Sequence, residues 1–321
     1  MQKLVVLDAI SEVSATKLRA LLPPGFELSH GLIGTEAHRI EIIADADFAI
    51  AGQCAVTEPM FAAAKRLKLL HKWGVGYDNL DLVAAKAHGI KVARTTGSNA
   101  LPVAEFALGL MLSSMRHIAY GHHHLQSGKW VGGRLPRDNF LLSDKTVALV
   151  GFGAIAKRLA KLLSGFGCTL LYTKPTRASA EEEAAYNVRY ASFEEALTTA
   201  DVLSLHCPLT PETAGLLNRD SLQRMKPTAV LINVARGGVV VEDDLVWALQ
   251  NNVIHAAASD VYAEEPLPAS STLIGVNNMV ITPHLAAGSA DTFAKTVLHM
   301  YRNMLLVAEG KPVPEVDSLV G

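Results

Sequence analysis

Three short segments in the last third of the chain carry an arginine, a glutamate and a histidine in that order: Asn233-Val-Ala-Arg236-Gly-Gly, Asp260-Val-Tyr-Ala-Glu-Glu265-Pro and Thr282-Pro-His284-Leu. Upstream, Val147-Ala-Leu-Val-Gly151-Phe152-Gly153-Ala154-Ile155-Ala156 reads as a dinucleotide-binding turn between a strand and a helix. The first glycine permits the tight turn. The second lets the backbone approach a pyrophosphate on the helix N-terminus, and the third position needs only a small residue. A cation, a carboxylate and an imidazole downstream of a nicotinamide site are the parts needed to move a hydride to or from a 2-oxo acid. Arg236 sits between an apolar strand and Gly-Gly, where a backbone can crowd a ligand. His284 follows Pro283 at a strand end, the rim where such sheets bind ligands. Glu264 reads as the solvated neighbour of Glu265.

Sites that prefer NAD carry Asp or Glu at the end of the second strand, on the ribose 2′-hydroxyl. Here that place falls in Leu171-Tyr-Thr-Lys174-Pro-Thr-Arg177, with two cations and no carboxylate near. A 2′-phosphate is welcome there, so NADP(H) is expected over NAD(H), with NAD(H) still possible. His122-His-His124 makes a poor metal-ligand set, because consecutive helical residues do not share a face. It reads as a polar surface patch.

These groups need a scaffold of strand ends. Lys3–Leu7, Asp47–Ala51, Lys68–Lys72 and Ile90–Val92 are short apolar runs, with helical patterns over Ser14–Leu22 and Glu58–Ala64. Such βα repetition implies a parallel sheet covered on both faces. A second series comprises Thr146–Val150, Thr169–Tyr172, Val202–Leu205, Ala229–Asn233, His255–Ser259 and Met279–Ile281. The helical stretches Ile155–Leu163, Glu194–Leu197 and Glu242–Gln250 separate them, and Ser192-Phe-Glu-Glu195 is a capping-box signature. Six strands opened by a glycine-rich turn fit a doubly wound nucleotide-binding domain. Leu101–His117 reads as a long buried helix of the core or of a subunit interface, and Asp291–Glu309 as an amphipathic helix returning to the first domain. The boundaries fall near Ser98 and Leu285, giving residues 1–98 with 286–321 and residues 99–285. Two crossings make a hinged cleft there plausible.

The 321 residues allow two good-sized cores, and a formal net charge of −2 gives no electrostatic grip on nucleic acid or an anionic membrane. Cys54, Cys168 and Cys207 are widely spaced, as in a reduced intracellular protein. With no signal peptide and no apolar run of the roughly 18 residues that span a membrane, the expected compartment is the cytoplasm.

Together the motifs resemble the D-isomer-specific 2-hydroxyacid dehydrogenase family over nearly the whole chain. The most specific stretch is Pro208-Leu-Thr-Pro-Glu-Thr213-Ala-Gly-Leu-Leu-Asn218 followed by Met225-Lys-Pro-Thr-Ala-Val-Leu-Ile-Asn-Val-Ala-Arg236-Gly-Gly; Gly74-Val-Gly76-Tyr-Asp-Asn-Leu-Asp81 matches the family's substrate loop. The resemblance implies an α/β chain of two doubly wound parallel-sheet domains, a flavodoxin-like substrate domain and a Rossmann nucleotide-binding domain. It implies His284 as general acid/base, Glu265 as its support and Arg236 on the substrate carboxylate. The backbone amides of Val75 and Gly76 would share that carboxylate, and Asp260 would face the nicotinamide carboxamide. His206, Cys207, Pro208, Thr213, Val234 and Ala235 would line the cofactor.

The family's phosphoglycerate-type members use an arginine in the segment equivalent to Ala49–Thr57, which has no cation here; Lys72 is the nearest alternative. The Tyr-Thr-Lys segment is similar to that of NADPH-using glyoxylate and hydroxypyruvate reductases. A phosphoglycerate or D-lactate type dehydrogenase is the alternative substrate reading. A catalytically silent NADP(H)-sensing corepressor is the alternative of another class. The family also implies a homodimer through the nucleotide domain, with a small 2-oxo or 2-hydroxy acid as partner.

Overall fold

The computed structural model describes residues 1–135 and 137–321. The chain opens with β1 (Gln2–Ala9), α1 (Glu12–Arg19), β2 (Phe26–Gly31), α2 (Glu36–Ile43), β3 (Phe48–Ala51), α3 (Glu58–Ala63), β4 (Leu69–Lys72), α4 (Leu82–Ala87) and β5 (Lys91–Arg94). It continues with α5 (Ala100–Met115), α6 (Ile118–Gln126), β6 (Thr146–Val150), α7 (Ala154–Leu163), β7 (Thr169–Thr173), α8 (Ala180–Tyr186), β8 (Val188–Tyr190) and α9 (Phe193–Thr199). Then come β9 (Val202–Leu205), α10 (Arg219–Arg224), β10 (Val230–Asn233), α11 (Glu242–Gln250), β11 (Ala256–Ser259), β12 (Met279–Ile281), α12 (Ala290–Ala308) and β13 (Ser318–Val320). Two compact units result: Met1–Asn99 with Gly288–Gly321, and Ala100–Ala287.

Among the described residues, the first unit holds a six-stranded sheet in the order β2-β1-β3-β4-β5-β13. It is parallel except for β13, which runs antiparallel to β5. The first five strands follow the flavodoxin-like order, whose ligand site lies at the switch between β1 and β3. The second unit holds a seven-stranded parallel sheet in the order β8-β7-β6-β9-β10-β11-β12. Its first six members reproduce the order of dinucleotide-binding folds, with the switch between β6 and β9.

Successive residues of a strand face opposite sides of a sheet, and both sides are covered here. Val147 and Leu149 join one core with α5 and α7, whereas Ala148 and Val150 join the other with α9 and α11. In the first unit Leu4, Val6, Phe48 and Ile50 pack with α12, and Val5, Leu7, Ala49 and Ala51 pack with α3. Each fully buried Val, Leu, Ile or Phe side chain among them contributes about 1.5–3 kcal/mol. Helix α5 is a core helix, burying Val103, Ala104, Ala107, Leu110 and Met111 in its own unit.

The strands that sequence reading overlooks are β2, β8 and β13. The first alternates between half-buried and exposed residues at a sheet edge, and the other two have three residues each, too short for a pattern. The capping box expected at Ser192 is half formed. Its hydroxyl accepts from Glu195 N, but the Glu195 carboxylate turns to Arg189. A complete reciprocal box forms instead at Asn218 and Ser221. Among the described residues no helix is long and apolar enough to cross a membrane.

Candidate active site

Strand β10 ends at Asn233, whose side chain shapes the turn that carries Arg236. Its Oδ1 accepts from Ala235 N and its Nδ2 donates to Arg236 O, each at 3.0 Å. A Cβ on Gly237 would lie 1.8 Å from the Tyr262 carbonyl carbon, so this turn packs directly on the loop after β11. That loop carries Glu265. Its Oε1 accepts from Tyr262 N at 2.9 Å, and Glu242 accepts from Ala263 N at 2.7 Å. His284 follows β12 in the left-handed conformation (φ 51°), which is rare for a residue with a Cβ and is held only where the surroundings impose it.

Those surroundings are Asp260 and Tyr262. The 1% exposed Asp260 accepts from Thr282 Oγ1 at 2.6 Å and from Leu285 N and Ala286 N at 2.8 Å. Tyr262 Oη shares its one proton between the carbonyls of Ser259 and Thr282, at 3.0 and 2.9 Å, and accepts from Thr282 N. Both carboxylate oxygens of Asp260, the residue expected to face the nicotinamide carboxamide, are bonded to the histidine segment.

His284 Nδ1 and Glu265 Oε2 stand 2.6 Å apart, with side chains 28% and 26% exposed. Burial opposes ionisation of Glu265, but the bonds from His284 and Tyr262 and the charge of Arg236 outweigh it and hold its carboxyl below the ordinary value. An ionised Glu265 makes Nδ1 the donor, which leaves Nε2 to exchange a proton.

The glycine-rich turn flanks the switch point of the second sheet. Gly151 has φ 94°, and a Cβ there would come within 2.7 Å of Cys207 N. Gly153 caps α7 with no side-chain hydrogen bond, and a Cβ on it would meet nothing within 4 Å. The helix therefore presents first-turn amides beside open space, which suits a pyrophosphate. The Phe152 side chain is in the core against Tyr172, so only its backbone serves the turn.

His206 Nε2 pairs with Ser204 Oγ at 2.9 Å, while its buried Nδ1 has no partner among the described residues. Burial pushes its pKa down to about 3, so the ring is neutral. Burial also pushes the Cys207 thiol up to about 11, against any thiolate role. Val234 and Ala235 are 8% exposed. Thr213 Oγ1 donates to Pro208 O at 2.6 Å and accepts from Thr210 N, closing the turn after β9.

The loop after β7 differs from expectation. Carboxylates do approach it, because the first turn of α8 folds back over it. Glu183 takes Arg177 Nε and Nη2 at 2.8 Å each and also accepts from Tyr172 Oη. Glu182 pairs with Lys157 and lies in the field of Lys174. Arg177 is thus clamped, while Lys174 lies half-buried at the strand end.

In the first unit, Val75 and Gly76 follow β4 as half-buried residues, after Gly74 at φ 129°. Lys72 Nζ donates to Gly52 O and to Asn79 Oδ1, and Asn79 Nδ2 donates to Cys54 O at 2.6 Å. Asp8, one residue before the end of β1, accepts from the amides of Gly52, Gln53 and Cys54. Asn99 Oδ1 is buried with no partner among the described residues. Sequence reading missed Asp8, Asn79, Asn99, Asn233 and Glu242. The signal available for Asp8 and Asn233 was a polar residue at or beside the end of an apolar strand.

Residues 108–286 match the family model for the D-isomer specific 2-hydroxyacid dehydrogenase, NAD binding domain. The chain is 40% identical over 237 residues to D-3-phosphoglycerate dehydrogenase 2, chloroplastic, of Arabidopsis thaliana, covering 74% of this chain and 38% of that one. It is 37% identical over 239 residues to the hydroxypyruvate reductase of Thermotoga maritima, covering 74% and 76%. The structure of an NADPH-dependent glyoxylate/hydroxypyruvate reductase from Sinorhizobium meliloti superposes with a TM-score of 0.83 at 26% identity, covering 99% and 98%. The chain spans about half the length of the phosphoglycerate dehydrogenases it matches.

Proposed function

The chain belongs to the D-isomer-specific 2-hydroxyacid dehydrogenase family, and on that premise we propose that it reduces glyoxylate or hydroxypyruvate to the D-2-hydroxy acid with NADPH. The observation that carries this reading is the 2.6 Å His284–Glu265 pair within the field of Arg236. When bound on the turn after β6, the cofactor supplies the hydride. His284 Nε2 gives its proton to the carbonyl oxygen as C2 is reduced, and Glu265 offsets the ring's positive charge before that transfer. Arg236 holds the carboxylate and polarises the 2-oxo group. The amides of Val75 and Gly76 hold the same carboxylate, with residues 1–98 and 286–321 as substrate domain and 99–285 as nucleotide domain. Asp260 faces the nicotinamide carboxamide and also braces the histidine segment. Lys174, with Arg177 beside it, takes the 2′-phosphate.

The reductase relatives favour a small acid. The plant relative keeps phosphohydroxypyruvate as a second substrate to test. Exposed Leu101, Ile118, Leu125 and Trp130 favour a homodimer through the second unit, which light scattering measures.

The test is loss of nicotinamide absorbance with NADPH or NADH against glyoxylate, hydroxypyruvate, pyruvate and phosphohydroxypyruvate. Fast NADPH oxidation with the first two acids is expected. Faster NADH turnover would reject the role of Lys174 and Arg177. Tight NADPH binding without turnover of any acid would favour a sensor.

A further inference from the structure

The loop after β4 is tied to the C-terminal tail by a chain of buried hydrogen bonds. His71 is fully buried (0% exposed); its Nδ1 donates to Lys72 O at 3.0 Å. Its Nε2 is therefore the lone-pair nitrogen, and it accepts from Asn303 Nδ2 at 3.1 Å. Asn303, on α12, is also fully buried, and the same amide reaches Asp317 Oδ2 at 3.3 Å. Asp317 (2% exposed) further accepts from His299 Nε2 at 2.6 Å and from Thr96 N at 3.2 Å. Thr95 closes the frame, its Oγ1 donating to Lys72 O and its N to Gly74 O. Trp73, between those carbonyls, packs its ring 6.0 Å from Phe293 at the start of α12.

The carbonyls of Lys72 and Gly74, which lead into Val75 and Gly76, are thus held by His71 and by Thr95 after β5, with Asn303 on α12 and Asp317 in the tail behind His71. A buried His–Asn–Asp chain adds little stability over an apolar packing of the same volume. Asn303 Oδ1 has no partner among the described residues, but both of its amide hydrogens are engaged, and that chain of bonds imposes one geometry on the backbone it touches. The neutral ring that this geometry needs is favoured by burial, which pushes the His71 pKa down to about 4.

We infer that His71, Asn303 and Asp317 are positioning residues that aim the Val75 and Gly76 amides, so that the C-terminal tail sets affinity for the 2-oxo acid. This rests on the reading of that loop as the carboxylate site. The test compares the full-length protein with Asn303→Leu and with Asp317→Asn, the second serving if the first does not fold. Three quantities are read: ¹⁵N shifts of the His71 ring, hydrogen exchange of amides 73–76, and steady-state kinetics. The variants are expected to lose the hydrogen-bonded Nε2 signature and to exchange faster at 73–76. KM for the acid should rise about tenfold while KM for NADPH and kcat stay within about twofold. A lower melting temperature with unchanged exchange and unchanged acid KM would overturn the inference, since it would mark the network as structural only. Faster exchange at 73–76 would uphold the positioning role even if the wild type reduced none of the acids, an outcome that would sink the functional reading alone.

Discussion

His284 and Arg236 make separable predictions at the scale of single residues. His284→Ala should lower kcat/KM by about 10²–10⁴ and leave NADPH affinity unchanged, because a general acid acts in the transition state and not in cofactor binding. Stopped-flow rates and fluorescence titration read the two quantities. Arg236→Lys keeps the charge but loses the planar fork, so KM for the acid should rise; near-normal kinetics would reject the clamp. Lys174→Asp should move preference towards NADH, measured as the ratio of kcat/KM for the two cofactors. Asp260, which the family resemblance turns towards the nicotinamide, also holds the histidine segment, because its oxygens are bonded to Thr282, Leu285 and Ala286.

At the scale of elements, the two glycines of the nucleotide turn are needed for different reasons. A methyl group on Gly151 would press on the backbone of His206 and Cys207, so Gly151→Ala should lower the melting temperature and cofactor affinity together. Gly153 has ordinary φ and open space around it, so Gly153→Ala should weaken cofactor binding and leave the melting temperature nearly unchanged. Equal loss of stability in both would show that the second glycine is structural. Helix ends follow similar local logic. Ser192→Ala at the start of α9 should cost about 1 kcal/mol, the usual worth of an N-cap, in a denaturant titration.

For the whole molecule, each unit contains a histidine that folding keeps neutral, His71 in the first and His206 in the second. Their pKa values fall from 6.5 to about 4 and about 3. Between those values the unfolded chain binds protons that the native one does not. Stability is therefore complete above pH 6.5 and is lost as pH drops towards 4. Calorimetry from pH 7.5 to 5 should show falling melting temperatures, and His206→Gln should flatten the slope. Glu265, held below its ordinary value, contributes in the same sense at lower pH, where its protonation removes the partner of His284. A pH-independent melting temperature over this window would mean that these imidazoles are hydrated in the native state.

The sequence by itself determined the α/β class, the glycine turn, the family and the approximate span of each long strand. Parallel strands covered on both faces must be continuous apolar runs, and β3, β9, β10 and β11 are buried at every position. Only the tertiary structure decided which polar groups meet. Asp260 on the histidine segment, and His71 bonded to Asn303, 232 residues away, left no local trace. Nor did the edge strands β8 and β13, whose three residues each are too few to carry a periodicity. The physical reason is range. Periodicity and turn chemistry record what a residue and its near neighbours require, whereas a hydrogen bond across the sheet depends on strand order and register, which arise only when distant segments pack.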